Sequence, residues 1–258
     1  MSTYGMYTSG LGAMGQSVKI DQIANNLANV ATPGFRRDHF SFRERLVEAL
    51  EDRPDLKFYN AQVHRNGGAP FIDRVTFDRD GGGYEQTHRP LDLAIVGQGY
   101  FTVRELQSGE TVYTRAGNFT LGGDGRILTA DGKYQLAADD GRGLAVDPGT
   151  GGDLRVREDG TIFQGDVEIG KAGVVDFDDV ARLHKRGDNV FENTGATASA
   201  PERLQVTQGT LELSSVNPVV EMVEMIKALR SLESNLQMLR FQDGVLDRAV
   251  NDLGRPQR

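Results

Sequence analysis

Residues 219–253 read VVEMVEMIKALRSLESNLQMLRFQDGVLDRAVNDL, a stretch with the residue spacing of one long amphipathic helix. Its apolar residues recur at alternating intervals of three and four, the heptad pattern that keeps one side of a helix against a partner. At 1.5 Å per residue the pattern predicts a helix about 50 Å long. The heptad positions are Met222, Met225, Leu229, Leu232, Leu236, Leu239, Asp243, Leu246, Val250 and Leu253.

Asn217 and Pro218 mark the start of this helix, because Pro is tolerated in a first helical turn. Val219, Val223 and Ile226 form a second apolar row that widens the stripe. Two arrangements fit such a helix. It is either an ordinary bundle helix or one whose partner lies partly outside the domain, and its length favours the second.

The N-terminus carries a weaker helical pattern of the same kind. Gly10, Gly12 and Gly15 each cost a helix about 1 kcal/mol relative to Ala, so this segment needs a partner, and the C-terminal stripe is the obvious candidate. Pro33 and Gly34 end the pattern. Its apolar positions are Tyr7, Leu11, Met14, Val18, Ile20, Ile23, Leu27 and Val30.

The middle of the chain has the pattern of β structure. Short β-prone runs at 91–96, 100–103, 111–114, 134–136 and 162–163 are separated by Asp-Gly pairs such as Asp131-Gly132 and Asp159-Gly160. Asp-Gly between apolar runs favours hairpins, because Gly adopts positive φ cheaply. Residues 40–50, FSFRERLVEAL, favour a short helix within a linker.

These patterns predict an α+β protein with four segments. Residues 1–35 form an N-terminal assembly helix, 36–88 a linker or extended arm, 89–205 a central all-β domain and 206–258 a C-terminal assembly helix. We expect the two terminal helices to pack together as a coiled-coil-like unit.

Charge follows the same division. The net charge is −8, yet residues 1–50 and 211–258 are nearly neutral, so the acid lies in the middle, with 25 of the 32 glycines. An acidic chain argues against nucleic-acid binding. A mean hydropathy of −0.43 and the lack of a long apolar run argue against membrane insertion, and no cleavable signal peptide is expected at the N-terminus.

The sequence has few of the residue patterns that form catalytic, metal or cofactor sites. Zero Cys excludes thiolate sites, the four His lack metal-ligand spacing, and no calcium loop is present, so we expect no metal and no cofactor. Gly97-Gln98-Gly99 is followed by a strand pattern where a dinucleotide site needs a helix. An assembled carboxylate pair stays open as an enzymatic alternative, although nothing nominates which acids would form it. No enzymatic activity is predicted.

Three strings in order resemble the bacterial flagellar basal-body rod and hook protein family. They are NNLANVATPGF at 25–35, LDLAIVGQGYF at 91–101 with TRAGNF at 114–119, and SSVNPVVEMVEMI at 214–226. Ser215 and Leu232 depart from the family pattern, where Asn and an aromatic residue are usual. The length and single β segment resemble rod proteins of the FlgF/FlgG type, and Asn217-Pro218 together with residues 248–255 slightly favours the proximal, FlgF-like member.

The resemblance implies a structural subunit that polymerises through its terminal helices into the rod that transmits torque across the periplasm to the hook. It implies self-assembly, partners among other rod and hook proteins, and export through the flagellar type III apparatus without a cleaved signal peptide. It also implies an assembly interface, with Asn25, Asn26 and Asn29 bonding across subunits unless they are merely polar-face residues. The interface residues are Leu11, Met14, Val18, Ile23, Asn25, Asn26, Leu27, Asn29, Met222, Met225, Leu229, Leu232, Leu236, Leu239 and Leu246.

One further alternative uses the same patterns differently. A secreted, β-rich, adhesin-like binding module with a coiled-coil stalk would also combine a β segment with a heptad helix. Such a module would form a closed oligomer of fixed size, whereas a rod subunit would form a polymer.

Overall fold

A computed structural model describes residues 3–44, 70–147, 149, 151–187, 189–201 and 203–253. The chain is α+β, with one long helix at each end and β structure between them, and it divides into two compact units. The helical unit comprises the described parts of Met1–Ala28, Asp38–Thr76 and Asn217–Arg258. The β unit comprises Asn29–Arg37 and Phe77–Val216.

Two helices dominate the helical unit, α1 (Thr3–Ala28) and α2 (Pro218–Leu253). The Asn217 side chain caps α2, since its Oδ1 accepts from the Val219 N–H at 3.1 Å. The two helices contact each other and run antiparallel. Lys19 Nζ lies 3.4 Å from Glu224 Oε2 near one end, and Gly12 lies against Asn235 farther along.

A two-stranded ladder completes the helical unit, formed by β1 (Asp38–Glu44) and β2 (Pro70–Phe77). The short helix expected at 40–50 is therefore wrong over residues 40–44, because pairing with β2 places them in a strand, and residues 45–50 lie outside the described part. Residues 45–69 of the predicted 36–88 arm lie outside it too.

The β unit is antiparallel throughout its recorded pairings. Its strands are β3 (Tyr84–Gln86), β4 (Leu93–Ile95), β5 (Tyr100–Glu105), β6 (Thr111–Thr114), β7 (Phe119–Leu121), β8 (Ile127–Thr129), β9 (Tyr134–Leu136), β10 (Leu154–Val156), β11 (Thr161–Gln164), β12 (Val167–Lys171), β13 (Val174–Phe177), β14 (Leu183–Gly187), β15 (Val190–Asn193), β16 (Ala198–Ser199), β17 (Val206–Gln208) and β18 (Thr210–Glu212). The largest sheet runs in the order β14-β15-β6-β5-β9-β8-β7, and in addition β13 pairs with β5 and β16 pairs with β13. Three smaller sheets pair β10-β11-β12, β17-β4 and β18-β3.

The Asp-Gly pairs lie at turns, as their composition predicts. Gly160 has φ +84° between β10 and β11, and the Asp159 carboxylate accepts from the Thr161 N–H at 3.0 Å. A side chain that bonds the backbone two residues on stabilises a tight reversal. The acid in these turns is therefore used locally and stays at the surface.

Two apolar clusters form the core of the β unit. The larger includes Phe101, Ile127 and Leu136, which are fully buried. The smaller contains Tyr100, Phe177, Leu183, Phe191 and Ala196. In it the Tyr100 ring makes a tilted contact with Phe177 and an edge contact with Phe191. The unit also contains β3 and β18, which lie on either side of residues 89–205 in the sequence and pair with each other.

The close approach of Gly117 to Leu93 allows the packing of the β unit to be tested. The Leu93 N–H donates to Gly117 O at 2.9 Å, and a Cβ on Gly117 would lie 2.7 Å from the Leu93 carbonyl carbon and closer to its oxygen. Gly117→Ala is expected to lower the free energy of unfolding by about 1–3 kcal/mol, because the added methyl overpacks the site. The control is Gly123→Ala, whose methyl meets nothing within 4 Å. Denaturant titration measures both variants, and equal stability would contradict this packing.

Candidate assembly surface

One row of α2 lies against α1, and its residues are spaced alternately four and three apart. Glu221 and Ala228 in this row are buried, and its other members are half-buried. The hydrogen bond between Asn26 and Glu221 and the position of Gly12 beside Asn235 place α1 on this side. The inner row is Glu221, Met225, Ala228, Leu232, Asn235, Leu239, Gln242 and Leu246.

Four of the eight predicted heptad positions from 222 to 246 belong to this inner row. Met225, Leu232, Leu239 and Leu246 are in it, whereas Met222, Leu229 and Leu236 are 41 to 47 % exposed. The sequence reasoning missed the polar members Glu221, Asn235 and Gln242. The sequence feature that could have identified them is a seven-residue repeat (221, 228, 235, 242), which lies next to the more conspicuous apolar repeat.

The predicted residues of α1 and the segment after it are distributed as follows. Ile23 and Asn26 are buried, and Asn25 is exposed. Met14 is 66 % exposed, which puts its thioether side chain on the outside of the helix pair. Leu11, Val18, Leu27 and Asn29 are half-buried.

Asn26 is the centre of a polar cluster inside the helical unit. It and Glu221 are at most 1 % exposed. Asn26 Nδ2 donates to Asp38 O at 3.1 Å and to Glu221 Oε2 at 3.4 Å, and Asn26 Oδ1 accepts from the Asp38 N–H at 3.0 Å. The side chain of Gln22 also donates to Asp38 O. A single amide thus connects α1 to the first residue of β1 and to the first turn of α2.

Charged groups fix the helix pair at its edge. Glu224 accepts hydrogen bonds from Lys227 at 2.8 Å and from Lys19 of α1 at 3.4 Å. These two ammonium groups, Lys227 first, hold the pKa of the Glu224 carboxyl below its usual value. Because these groups are solvated, the bonds orient the helices more than they stabilise them.

The outer face of α2 carries a stripe of exposed apolar side chains. We call it the outer stripe: Val219, Met222, Val223, Ile226, Leu229 and Leu236, which are 41 to 64 % exposed. Their spacing of three, four and seven residues puts them on one side of the helix, next to the inner row. Contiguous exposed apolar side chains of this kind are typical of interaction surfaces.

The described residues offer little for other kinds of site. Among them, no group of three or more His, Cys, Asp or Glu is placed to hold a metal ion. None of the helices in this part of the chain is both long enough and apolar enough to cross a membrane.

Three family models match the chain in order. Residues 6–36 match "Flagella basal body rod protein", residues 94–176 match "Flagellar hook protein FlgE/F/G D1 domain", and residues 207–253 match "Flagellar basal body rod FlgEFG protein C-terminal". The first and third matches include most of α1 and α2, and the second lies within the β unit.

Three curated relatives are similar to this chain over nearly its whole length. The flagellar basal-body rod protein FlgF of Caulobacter vibrioides is 34% identical over 242 residues, which cover 92% of each chain. The rod protein FlgG of the same organism is 31% identical over 259 residues, covering 93% of this chain and 95% of that one. FlgG of Bacillus subtilis is 29% identical and covers 95% and 97%.

The polar cluster at Asn26 gives a direct test of the helical unit. Asn26→Ala is expected to lower the free energy of unfolding by about 1–3 kcal/mol, since the buried Asp38 N–H and Glu221 carboxylate each lose a partner. Unfolding is measured by the loss of the helical circular dichroism signal. Ser17→Ala, at an exposed position of α1, is the control. If the two variants unfold alike, the cluster does not hold the helices.

Proposed function

This chain belongs to the flagellar basal-body rod protein family, and we propose that it polymerises through the outer faces of α1 and α2. It is a structural subunit of the rod in the flagellar basal body, and it assembles with other rod and hook proteins. Its relatives are structural proteins, so it is not an enzyme. The comparisons give no support to the adhesin-like alternative.

The observation that carries the proposal is the outer stripe. Fully burying a Val, Leu, Ile or Met side chain yields about 1.5–3 kcal/mol, and six such residues are about half exposed here. Covering them with a neighbouring subunit would therefore contribute several kcal/mol per contact. When the covering surface is a different face of the next copy, the contact repeats without closing and gives a helical polymer.

The two rows of α2 would then have separate roles. The inner row would hold α1 within the subunit as a coiled-coil-like pair, with Leu11, Val18, Ile23 and Leu27 contributed from α1. The outer row, with Met222, Leu229, Leu236 and also Met14, would contact neighbouring subunits. We assign Asn25 and Asn29 to amide bonds across subunits, and Asn26 to the position of α1 within the subunit.

A weak α1 suits a subunit that is exported before it assembles. Gly10, Gly12 and Gly15 lower its helical propensity, so the helix depends on its contacts. We propose that the chain passes unfolded through the flagellar type III export apparatus without a cleaved signal peptide and lies in the periplasm-spanning rod. The ordering cost of the ends would then be offset where neighbours supply apolar contacts.

We place the chain at the proximal, FlgF-like position of the rod. Its 34% identity to a FlgF protein against 31% to the FlgG protein of the same organism supports this position, as do Asn217-Pro218 and residues 248–255. Electron microscopy of basal bodies from a deletion strain tests it. Loss of this subunit should stop the rod near its base, and a rod missing only its distal part would instead indicate a FlgG-like position.

Leu236→Asp separates the two rows of α2. Because Leu236 is 41 % exposed, we expect the free energy of unfolding of the isolated subunit to change by less than about 0.5 kcal/mol, while rod assembly and swimming are lost. Leu232→Asp, in the inner row, should instead destabilise the helical unit by several kcal/mol, since it buries a charge beside α1.

Ser234→Asp introduces the same charge at an exposed polar position of α2 and is the control, with normal swimming expected. For the unchanged protein and the three variants, motility is measured by swimming in soft agar and stability by thermal unfolding of the purified subunits. Normal swimming of Leu236→Asp would overturn the role of the outer stripe, and unfolding of Leu236→Asp like that of Leu232→Asp would overturn the division into two rows.

A further inference from the structure

Residues 29–37 form an excursion of the chain into the β unit. They lie in sequence between α1 and β1, which both belong to the helical unit, yet they are part of the β unit. Their backbone runs beside the segment that precedes α2. The Gly34 N–H donates to Glu212 O at 2.8 Å, and the Ser215 N–H donates to Phe35 O at 3.0 Å.

Further side chains and backbone groups surround this segment. Asn189 Nδ2 donates to Pro33 O at 2.8 Å, and Lys185 Nζ donates to Arg36 O at 2.5 Å. The same ammonium lies 4.1 Å from the centroid of the Phe35 ring, within cation–π distance. The Arg37 N–H also donates to Ser215 Oγ at 2.8 Å, so every residue from 33 to 37 has a backbone hydrogen bond that holds the segment.

A buried charge triad lies under the segment. Arg36 Nη2 is 2.9 Å from Glu212 Oε1, and Arg115 Nη1 is 3.2 Å from Glu212 Oε2, with all three side chains at most 3 % exposed. Two guanidinium groups therefore share one carboxylate. The triad therefore carries one surplus positive charge, and one of its two cations, Arg36, belongs to the segment 29–37.

Burying this triad is costly. Arg36 Nε, Arg36 Nη1 and Arg115 Nε are buried without a hydrogen-bond partner in the protein. Burial raises the pKa of the Glu212 carboxyl, against the opposing attraction of Arg115 and Arg36, and lowers the pKa of Arg115. Each shift favours the neutral form, so desolvation offsets much of what the ion pairs contribute.

Gly81 closes the triad from the other side. A Cβ on Gly81 would lie 2.7 Å from Arg36 Nη1 and closer still to Glu212 Oε1, so a larger residue there would have to displace the ion pair. Phe35 is buried, but it belongs to neither apolar cluster of the β core. The segment is therefore held by polar contacts at the margin of the core.

We propose that residues 29–37 act as a latch, which opens as a unit while the β core stays folded, and that Glu212 is the counter-charge that keeps it closed. Segments with few apolar contacts open at lower free energy than the core to which they attach. When closed, the latch ties the chain after α1 to the chain before α2. When open, it leaves residues 29–37 as a free linker, and the use of that linker in assembly rests on the proposed function.

The test uses the full-length subunit in dilute, monomeric solution and measures amide hydrogen exchange by mass spectrometry. In Glu212→Gln, one guanidinium group faces an amide NH2, which is a donor, in place of a carboxylate acceptor. In Gly81→Ala, the added methyl group pushes the ion pairs apart while the three charges remain. In both variants we expect exchange in peptides covering 29–37 to accelerate about 10- to 100-fold, the range that losing a buried partner implies. Exchange in β5 and β6 should change less than about threefold.

Two matched controls accompany these variants. Glu85→Gln removes an exposed carboxylate from β3, the strand beside β18, and Gly83→Ala adds a methyl that meets only an ordinary contact with Leu213. Neither should change exchange in 29–37. Unchanged exchange in both Glu212→Gln and Gly81→Ala, or equal acceleration of 29–37 and the core strands, would overturn the latch.

The latch and the proposed function can fail separately. Exchange in a monomer does not depend on assembly, whereas swimming of the Leu236→Asp variant depends on the outer stripe alone. Normal swimming of that variant with selective opening of 29–37 would overturn the proposed function and leave the latch standing. Lost swimming with uniform exchange would overturn the latch only.

Discussion

The apolar stripe of α2 is wider than one helix can cover, and the rest of the molecule is arranged around that fact. An α-helix presents an apolar face to a single partner over about a third of its circumference. Here α1 covers the inner row, and the adjacent side from Val219 to Leu236 stays exposed. In the proposed polymer, neighbouring subunits would cover this exposed side and complete the burial of the stripe.

Polar groups, rather than apolar ones, fix the positions of the connecting segments. Asn26 bonds the backbone of Asp38 and the carboxylate of Glu221 in the helical unit, and Glu212 bonds Arg36 and Arg115 in the β unit. Apolar contacts tolerate small shifts in register, whereas a buried hydrogen-bond donor without its acceptor costs about 1–3 kcal/mol. Such clusters add little net stability but exclude alternative arrangements.

The distribution of charge acquires a structural meaning from the same division. The acid of the middle segment lies largely in turns and exposed edges of the β unit, where Asp side chains bond the local backbone, as at Asp140 and Asp159. The nearly neutral ends form the helices whose exposed faces would meet like chains. Low net charge there reduces repulsion between neighbouring copies.

The terminal helices, the β middle, the Asp-Gly turns and the family could be predicted from the sequence, because periodicity, capping and turn chemistry are local properties. The same periodicity predicted one heptad seam, in which Met225, Leu232, Leu239 and Leu246 alternate with Met222, Leu229 and Leu236. The tertiary structure divides that seam, since α1 lies against the row that contains Glu221, Ala228, Asn235 and Gln242 and leaves Met222, Leu229 and Leu236 exposed. A seven-residue repeat is equally regular in both rows, so the choice depends on the polar partners that α1 brings, with Asn26 opposite Glu221. The triad of Arg36, Arg115 and Glu212 was equally invisible, since its members are far apart in the chain and meet only after the β unit has folded.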